Sequence, residues 1–527
     1  MSKFDSEYKN MIFENIEEIM DLALDGDAVS QYYLGVYYAS PESEEYDLRK
    51  AFNWFYKAAE QGMVNAQCNV GVCYANGIGV DQDYSKAIYW FVEAAKQNDE
   101  TSIYNLGFSY FNGNGVVQNY EKAIYWYKKA MELGNEHAEF ILALCYLNGT
   151  GVEKDTKRAF KHFYNAAKND HVEACYNLAY CYEYGIGCKV NINKALRYYE
   201  EAAEKGNDYA IGRLGLYYND HKFYEEAFEC FELSAKKGNM KSTYYLAKCY
   251  EYGQGCKQNK ELAFKLLKIV AGEGDNDALY DLGICYLYGV GVSRNEREAY
   301  ICFNIAKDEG VVEANNALGY CYLNGFGVEK DTKKALELFI DSVNLGDSVG
   351  YYNLAFCYAC GLGIEKNDEK AFELLKQSAE MDDFYAQYYL GKCYEFGNLC
   401  EVDYKAAKKW YEKSYKNECD DALVCLGDLY MDGKGVKLNY KKANSLYKKA
   451  YDCSADDGEV NYAISCLFIK GKEKIGFDLL NQNVDLDNYG VQYFLKLCYE
   501  QGIGVEKNIE KSKEFDEKLY NIKNKCQ

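Results

Sequence analysis

One short pattern recurs along this chain at a fixed interval. A leucine or valine precedes a small residue, and a tyrosine follows three positions later, as in Leu34-Gly35-x-x-Tyr38. The interval between successive small residues is 36, apart from a step of 32 between Gly215 and Ala247. A fixed period of this size is the signature of tandem structural repeats. The fixed small residues are Gly35, Gly71, Gly107, Ala143, Ala179, Gly215, Ala247, Gly283, Gly319, Ala355, Gly391 and Gly427, with a degenerate copy at Ala463 and a last copy marked by Tyr499.

Each repeat divides into two helical halves. In the first half, helix A, small or apolar residues fall at positions −5, −1, 0 and +3 from the fixed small residue, which is one face of a helix. A Gly-x-Gly turn follows in ten repeats, for example Gly77-Ile78-Gly79, because only glycine takes positive φ without strain. Helix B then follows an Asp or Asn, the residues preferred as helix N-caps. The predicted N-caps are Asp83, Asn119, Asp155, Asn191, Asn259, Asn295, Asp331, Asn367, Asp403 and Asn439.

The glycine in the middle of helix A also predicts how the helices pack. Such a glycine costs about 1 kcal/mol relative to alanine in an exposed helix, so its repetition indicates that a neighbouring helix comes close. One helix pair cannot bury its apolar face alone, whereas stacked pairs share a continuous core. The sequence therefore predicts a nearly all-α, extended and curved chain without a β-sheet. Trp54, Trp90, Trp126 and Trp410 occupy one register position of helix B and are predicted core residues.

The combined pattern, A-x-x-x-L-G-x-x-Y-x-x-G-x-G-V followed by K-A and W-Y-x-K-A-A, resembles the Sel-1-like repeat, a relative of the tetratricopeptide repeat. The resemblance covers about residues 26–522. It implies a right-handed α/α superhelical solenoid of about 13 helix-turn-helix repeats of 36 residues. It also implies a non-enzymatic adaptor for other proteins, and it names no partner.

Departures from the pattern set the expected boundaries. Residues 1–25 are predicted to form a capping helix, residues 26–507 the solenoid, and residues 508–527 a final capping helix and tail. The first repeat has Pro41 and Glu42 in place of Gly-x-Gly. An irregular repeat is expected near 215–238, because four residues are missing between Tyr218 and Ala227, and a degenerate repeat is expected near 455–490.

Charge and hydropathy narrow the kind of partner. The 60 basic and 82 acidic residues give a net charge of −22, and the lysines are interspersed with acids, which disfavours nucleic acid and anionic membranes. A basic protein segment is easier to accommodate. No basic and apolar leader begins the chain, and no apolar run approaches 18 residues, so we expect no membrane insertion and a cytoplasmic location.

Many of the 22 cysteines follow the same repeat. Nine of them immediately precede the repeat tyrosine, and helices in adjacent repeats lie about 8–10 Å apart, too far for disulfides between equivalent cysteines. We therefore interpret them as small packing residues with free thiols. These nine are Cys73, Cys145, Cys181, Cys249, Cys285, Cys321, Cys357, Cys393 and Cys498.

The sequence gives little indication of metal binding or catalysis. Cys357-x-x-Cys360 with Cys393 and Cys400 is a weak zinc candidate, since two adjacent repeats would have to converge on one tetrahedron. His162 stands at the tryptophan position and is a predicted core residue. No histidine pairs recognisably with a nucleophile, so we expect neither an enzyme nor a cofactor.

The remaining helix A positions, −3, −2 and +1, are predicted to line a concave protein-binding groove. Rings recur at −3 and +1 and asparagine at −2, a composition typical of interfaces. The alternative is that these tyrosines only pack between neighbouring helices. The predicted site residues are Tyr104, Asn105, Phe108, Phe140, Tyr176, Asn177, Tyr180, Tyr244, Tyr280, Tyr320, Tyr352, Asn353, Phe356 and Tyr388.

Two functional hypotheses share this surface. The first is an intracellular scaffold that binds peptide or helical segments of other proteins, with basic segments among the candidates. The second is an exported effector or host-interaction factor that uses the same repeat surface. The missing leader disfavours the second hypothesis without excluding non-standard export.

Overall fold

Helices make up all the regular structure of the described residues. The computed structural model describes residues 12, 15–453, 455, 457–484 and 488–525, and within them it contains 29 helices and no strand. This confirms the predicted all-α class. Contacts between Cα atoms divide the chain into two compact units, Met1–Gln258 and Asn259–Gln527.

The first unit begins with α1 (Ile16–Leu24) and continues as alternating helices A and B. Even-numbered helices are helices A, and odd-numbered helices from α3 onward are helices B. The helices are α2 (Ala28–Ala39), α3 (Leu48–Glu60), α4 (Val64–Asn76), α5 (Tyr84–Lys96), α6 (Glu100–Asn112), α7 (Tyr120–Glu132), α8 (Glu136–Asn148), α9 (Thr156–Lys168), α10 (Val172–Tyr184), α11 (Ile192–Glu204), α12 (Asp208–Asp220), α13 (Tyr224–Lys236) and α14 (Met240–Tyr252).

The second unit keeps the same alternation, now starting on a helix B. Its helices are α15 (Lys260–Gly272), α16 (Asn276–Tyr288), α17 (Glu296–Asp308), α18 (Glu313–Asn324), α19 (Thr332–Asn344), α20 (Ser348–Cys360), α21 (Asp368–Glu380), α22 (Phe384–Phe396), α23 (Tyr404–Lys416), α24 (Asp421–Asp432), α25 (Tyr440–Asp452), α26 (Gly458–Leu467), α27 (Glu473–Gln482), α28 (Tyr489–Gln501) and α29 (Ile509–Lys525).

The N-cap prediction is confirmed at all ten positions. In each case the Asp or Asn side chain accepts a hydrogen bond from a backbone amide in the first turn of helix B, as Asp83 does from Lys86. Each cap satisfies an amide that has no partner inside the helix. The start of helix B is therefore set by one short polar side chain per repeat.

The two turn glycines have different roles. Gly77 ends α4 in the left-handed region, with φ +70°, and nothing lies within 3.5 Å of where a Cβ would be. Gly79 also has φ +70°, but a Cβ there would lie 2.0 Å from the backbone oxygen of Leu48, at the start of the preceding helix B. The second glycine thus allows backbone contact between adjacent repeats, which the sequence interpretation did not anticipate.

The glycine within helix A makes room for a side chain of its own repeat. A Cβ at Gly71 would lie 2.5 Å from the Phe91 ring, and one at Gly107 would lie 2.7 Å from the Tyr127 ring. The close approach predicted from sequence is therefore present, but the approaching group is an aromatic ring of helix B in the same repeat. Phe231, Phe303, Phe339, Tyr411 and Tyr447 take the equivalent place in later repeats.

The irregular repeats keep the helix pair and change the turn. In the Gly215 repeat only residues 221–223 join α12 to α13, and Lys222 takes φ +64° where other repeats use glycine. In the Ala463 repeat, α26 and α27 are shortened to 10 residues each, and buried Cys466 stands at the tyrosine position. Of the predicted N-terminal cap, the structure describes Ile12 and the residues from 15 onward, including α1; the rest lies outside the described residues.

The predicted packing residues are found against the core, with one difference. All nine cysteines before the repeat tyrosine are buried. Trp90 is buried, whereas Trp54, Trp126 and Trp410 are half-buried at the edge of the core, each with a lysine ammonium over its ring. The long lysine stem covers the outer face of these rings, because it can reach past them to water.

Candidate functional site

Helices A present two distinct faces. Positions −1 and 0 are buried and the tyrosines at +3 are buried or half-buried, as Leu178, Ala179 and Tyr182 illustrate. None of the 14 predicted site residues is fully buried: Phe108, Tyr320 and Phe356, at position +1, are 47%, 42% and 47% exposed, and the other eleven are half-buried. A row of accessible rings and amides therefore runs along each unit on its helices A.

The rings at position −3 lie between two repeats. Tyr104 packs against Tyr127 of its own helix B, with ring centroids 5.6 Å apart, and against His137 of the next helix A at 6.1 Å. Tyr176 repeats this with Tyr199 and Tyr209 at 5.8 and 6.0 Å. The packing role considered for these tyrosines therefore applies at position −3, where one edge of the ring stays accessible.

Burial alters the ionisation of these phenols. It raises the pKa of Tyr280 to about 12, and it raises the pKa values of Tyr104, Tyr352 and Tyr388 as well. The hydroxyl groups therefore remain protonated at neutral pH. A protonated phenol can donate a hydrogen bond as well as accept one.

The asparagines at position −2 already make hydrogen bonds within the protein. The Asn177 amide donates to the carbonyl oxygen of Glu173, 2.7 Å away, and the Asn353 amide donates to the Asn316 side chain at 3.1 Å. These bonds hold the amide groups in defined orientations. An incoming backbone would meet pre-oriented groups, which lowers the entropy cost of binding.

A second set of exposed rings was missed in the sequence. Tyr184, Tyr252, Tyr288 and Phe396 lie at position +5, just before the turn glycine, and are 51–62% exposed. Positions +1 and +5 are one helical turn apart, and the ring centroids of Tyr180 and Tyr184 indeed lie 4.5 Å apart. The i,i+4 spacing from position +1 was the signal that could have identified them.

Basic side chains lie among these rings in three repeats. Arg213 reaches back to the preceding repeat, where it donates to the Tyr184 hydroxyl at 3.0 Å and lies 3.7 Å from Glu183. Lys248 lies over Tyr244 and Tyr252, and Lys392 lies over Tyr388. Cation–π contacts of this kind show that the rings accept a positive group on their faces.

Two acidic side chains occupy the same face near the end of α22 and in α24. Glu395 is buried and accepts a hydrogen bond from the Tyr411 hydroxyl at 2.7 Å. Asp428 accepts one from the Tyr447 hydroxyl at 2.6 Å, and burial together with the charge of Glu395 raises the pKa of Asp428 to about 6. Two acidic groups therefore lie close together on this part of the face, with the Lys434 ammonium near them.

Within each unit, successive helices A come closer to each other than successive helices B do. The successive helices A α4 and α6 approach each other, as do α18 and α20, so the helix A side is the inner side of the local stack. In the second unit, burial raises the pKa of Tyr288 and the phenols of Tyr320 and Tyr385 raise it further. Tyr288 and Tyr385 belong to helices A three repeats apart.

Histidine and cysteine clusters do not form a further centre. The described residues contain no group of three His, Cys, Asp or Glu side chains placed to bind a metal. Of the zinc candidates, Cys357 is buried and Cys360 exposed. His137 Nδ1 lies 3.2 Å from His171 Nε2. His162 is half-buried and stacks on Tyr146.

The repeat pattern matches one family model along most of the chain. The model, Sel1 repeat, matches residues 28–63, 64–99, 101–135, 136–171, 172–207, 212–239, 241–275, 276–311, 312–347, 348–383, 384–419, 421–454 and 488–515. The chain belongs to the Sel1 repeat family. This confirms the resemblance and the number of repeats, and the gap between the last two matches falls on the degenerate Ala463 repeat.

Solved structures of other Sel1-repeat proteins resemble this one. The structure of c5321, a protective antigen present in uropathogenic Escherichia coli strains and displaying an SLR fold, is 25% identical, with a TM-score of 0.58; the match covers 90% of this chain and 97% of that chain. A Sel1 repeat protein from Oxalobacter formigenes is 27% identical over 46% of this chain and 96% of that chain, with a TM-score of 0.38. No curated protein matches significantly.

The family assignment sets the general class of function. Sel1-repeat solenoids are typically scaffolds for protein interaction. In the part of the chain that the structure describes, no helix is both long enough and apolar enough to cross a bilayer.

Proposed function

We propose that this Sel1-repeat protein is a non-enzymatic adaptor that binds peptide or helical segments of other proteins along its helices A. The observation that carries the proposal is the row of accessible rings at positions −3, +1 and +5, present in repeat after repeat. Rigid aromatic side chains give large contact areas at a small entropy cost, which is why they dominate binding hot spots.

The charge of the surface favours a basic partner segment. Asp428 lies half-buried on the helix A face, near buried Glu395, and the net charge of the whole chain is −22. Opposite charge accelerates encounter and fixes the register of a bound segment. Raising the salt concentration should therefore slow association, and it should change the dissociation rate less.

The test combines partner identification with a triple substitution. Partners are captured from lysate of the source cells, identified by mass spectrometry and then titrated as purified proteins. Tyr176→Ala, Asn177→Ala and Tyr180→Ala together should weaken binding at least tenfold and leave the helical circular dichroism signal largely unchanged, because these side chains are accessible.

Exposed tyrosines on helices B provide the matched control. Tyr89, Tyr125 and Tyr164 are 57%, 61% and 43% exposed on the opposite side of the stack. Their triple alanine variant should bind the partner as well as the wild type does. Equal losses in both variants, or undiminished binding by the helix A variant, would contradict the assignment of the face.

The location of the protein distinguishes two versions of this function. The nine cysteines before the repeat tyrosines are buried and fit a packing role, which supports a scaffold in the reducing cytoplasm. The likeness to c5321, a protective antigen, supports the alternative of an exported factor that contacts a host. Cell fractionation with an antibody against the chain separates the two, since only export gives the protein in the medium or on the cell surface.

A further inference from the structure

A cavity opens on the first unit beside α4. It has a volume of about 510 Å³, and its apolar walls include Tyr32, Phe55, Cys68 and Val72. A volume in this range is typical of pockets that accept a substantial side chain or a small ligand. We call it the second-repeat pocket, because α4 is helix A of the Gly71 repeat.

Two missing rings account for the space. Cys68 and Val72 stand at positions −3 and +1, where the next repeat has Tyr104 and Phe108. The helix itself is regular, with 13 residues in α4 as in α6. The backbone of the Gly71 repeat is therefore ordinary, and the cavity lies where several other repeats place rings.

Polar groups lie at two sides of the pocket. Asn65 and Asn69, one helical turn apart, line it from α4, while Asp99 and Glu100 line it from the start of α6. Asp99 accepts a hydrogen bond from the Ser102 amide at 2.7 Å, which fixes its carboxylate at this edge. The pocket thus pairs an apolar interior with amides and two acidic groups.

The geometry points to an aromatic side chain of a partner protein as the occupant, carried by a segment that places a lysine or arginine beside that ring. The aromatic ring replaces the rings that Cys68 and Val72 lack, and it packs against Tyr32 and Phe55, whose centroids are 5.7 Å apart. The adjacent cation faces Asp99 and Glu100, and Asn65 and Asn69 are placed to bond the segment's backbone. This inference rests on the proposed protein-binding function and gives it a specific anchor.

The test titrates the full-length protein with the peptide acetyl-Lys-(4-fluoro-Phe)-Lys-amide and follows the fluorine NMR signal. Binding to the wild-type protein should shift or broaden this signal, and the effect should saturate. The corresponding peptide with glutamate in place of both lysines should bind at least tenfold more weakly, because its charge repels Asp99 and Glu100.

Two variants fill the pocket with the solenoid's own rings. Cys68→Tyr and, independently, Val72→Phe should each weaken binding of the lysine peptide at least tenfold. Val424→Tyr is the matched control: it adds a tyrosine at position −3 of the Gly427 repeat, outside this pocket, and should leave the affinity unchanged. Circular dichroism checks folding, and Val72→Phe answers the question if Cys68→Tyr does not fold.

Other occupants give different results. Wild-type protein that shows no saturable binding, or pocket-filling variants that bind like the wild type, would overturn the inference. Peptide binding seen only after Phe4→Ala or Tyr8→Ala would assign the pocket to the chain's own first residues, which lie outside the described part. A dimer lost in Cys68→Tyr would assign it to a second copy.

The two proposals can fail separately. Loss of partner binding in the Tyr176, Asn177 and Tyr180 variant, with no peptide binding to the second-repeat pocket, would keep the helix A face and reject the anchor. Peptide binding at the pocket, with no effect of the triple variant on partner binding, would do the reverse.

Discussion

At the scale of single residues, the repeat tolerates different chemistry at equivalent places. Glu183 and Glu395 both lie at position +4 and both accept a hydrogen bond from a helix B tyrosine, Tyr199 and Tyr411, at 2.5 and 2.7 Å. Arg213 of the next repeat lies beside Glu183, whereas the position equivalent to Arg213 beside Glu395 is Cys425. The same frame therefore places an arginine of the next repeat beside the acid in one repeat and a cysteine in another.

Asp428 makes this difference measurable as a pH effect. Its folded pKa of about 6 lies above the ordinary value, so its contribution to stability is full at low pH and is lost as the pH rises through about 4 to 6. Asp428→Asn keeps an acceptor for the Tyr447 hydroxyl and removes the charge. We expect the variant to be about 1–2 kcal/mol more stable than the wild type at pH 7.5 and about equal to it at pH 4. Urea unfolding at both pH values measures the difference.

Asp83→Asn is the matched control for this prediction. Asp83 is an exposed N-cap whose pKa is lowered by hydrogen bonding to the Lys86 amide, and several other repeats use asparagine at that place. It should show no gain in stability at pH 7.5. A gain for Asp428→Asn that is the same at both pH values would mean that charge is not the cause.

At the scale of helices and turns, most of the structure was predictable. The caps at Asp83 and its equivalents follow from local hydrogen bonding, and the turn glycines follow from positive φ, so both appear in the sequence as residue types. The contact between Gly79 and Leu48 was not predictable, since the two residues belong to different repeats and the sequence carries no distance between them. The exposed rings at position +5 were not predicted, because that position carries a ring in only some repeats and asparagine in others, such as Asn76 and Asn112.

The two turn glycines should therefore respond differently to alanine. Gly77→Ala adds only the cost of a left-handed conformation, about 1–2 kcal/mol. Gly79→Ala adds the same cost and also places a Cβ against the Leu48 carbonyl, so we expect a loss of more than about 3 kcal/mol. Hydrogen exchange in α3 and α4 compares the two variants, and equal losses would show that the backbone contact has no energetic weight.

At the scale of the whole chain, the sequence predicted the architecture better than the site. The repeat period, the helix N-caps and the buried cysteines before the repeat tyrosines are set by requirements that the repeats share. Repetition makes such requirements visible in the sequence. The binding face depends on which ring is left accessible, as the half-buried Tyr104 and the 47% exposed Phe108 show. That outcome depends on neighbouring repeats as well as on the residue itself.

The thiols provide a test of the whole chain. The 21 described cysteines form no disulfide, and burial raises the pKa of Cys73 to about 11 and that of Cys181 to about 12. Among the described cysteines of the native protein, exposed Cys360 and Cys453 should therefore react fastest with a thiol reagent at neutral pH. Titration in denaturant without reductant should find most of the 22 thiols. Eight or more disulfides would contradict both the packing interpretation and a reducing compartment.

The two faces of helix A have an evolutionary consequence. Residues that hold the stack together, such as Leu178 and Cys181, alternate along one helix with residues that meet the surroundings, such as Tyr180 and Tyr184, while the rings at position −3 do both. Selection on what the molecule recognises can therefore act on one set while selection on folding maintains the other. A lineage that duplicates, deletes or substitutes residues in single 36-residue repeats can change its recognition surface step by step while the fold stays the same.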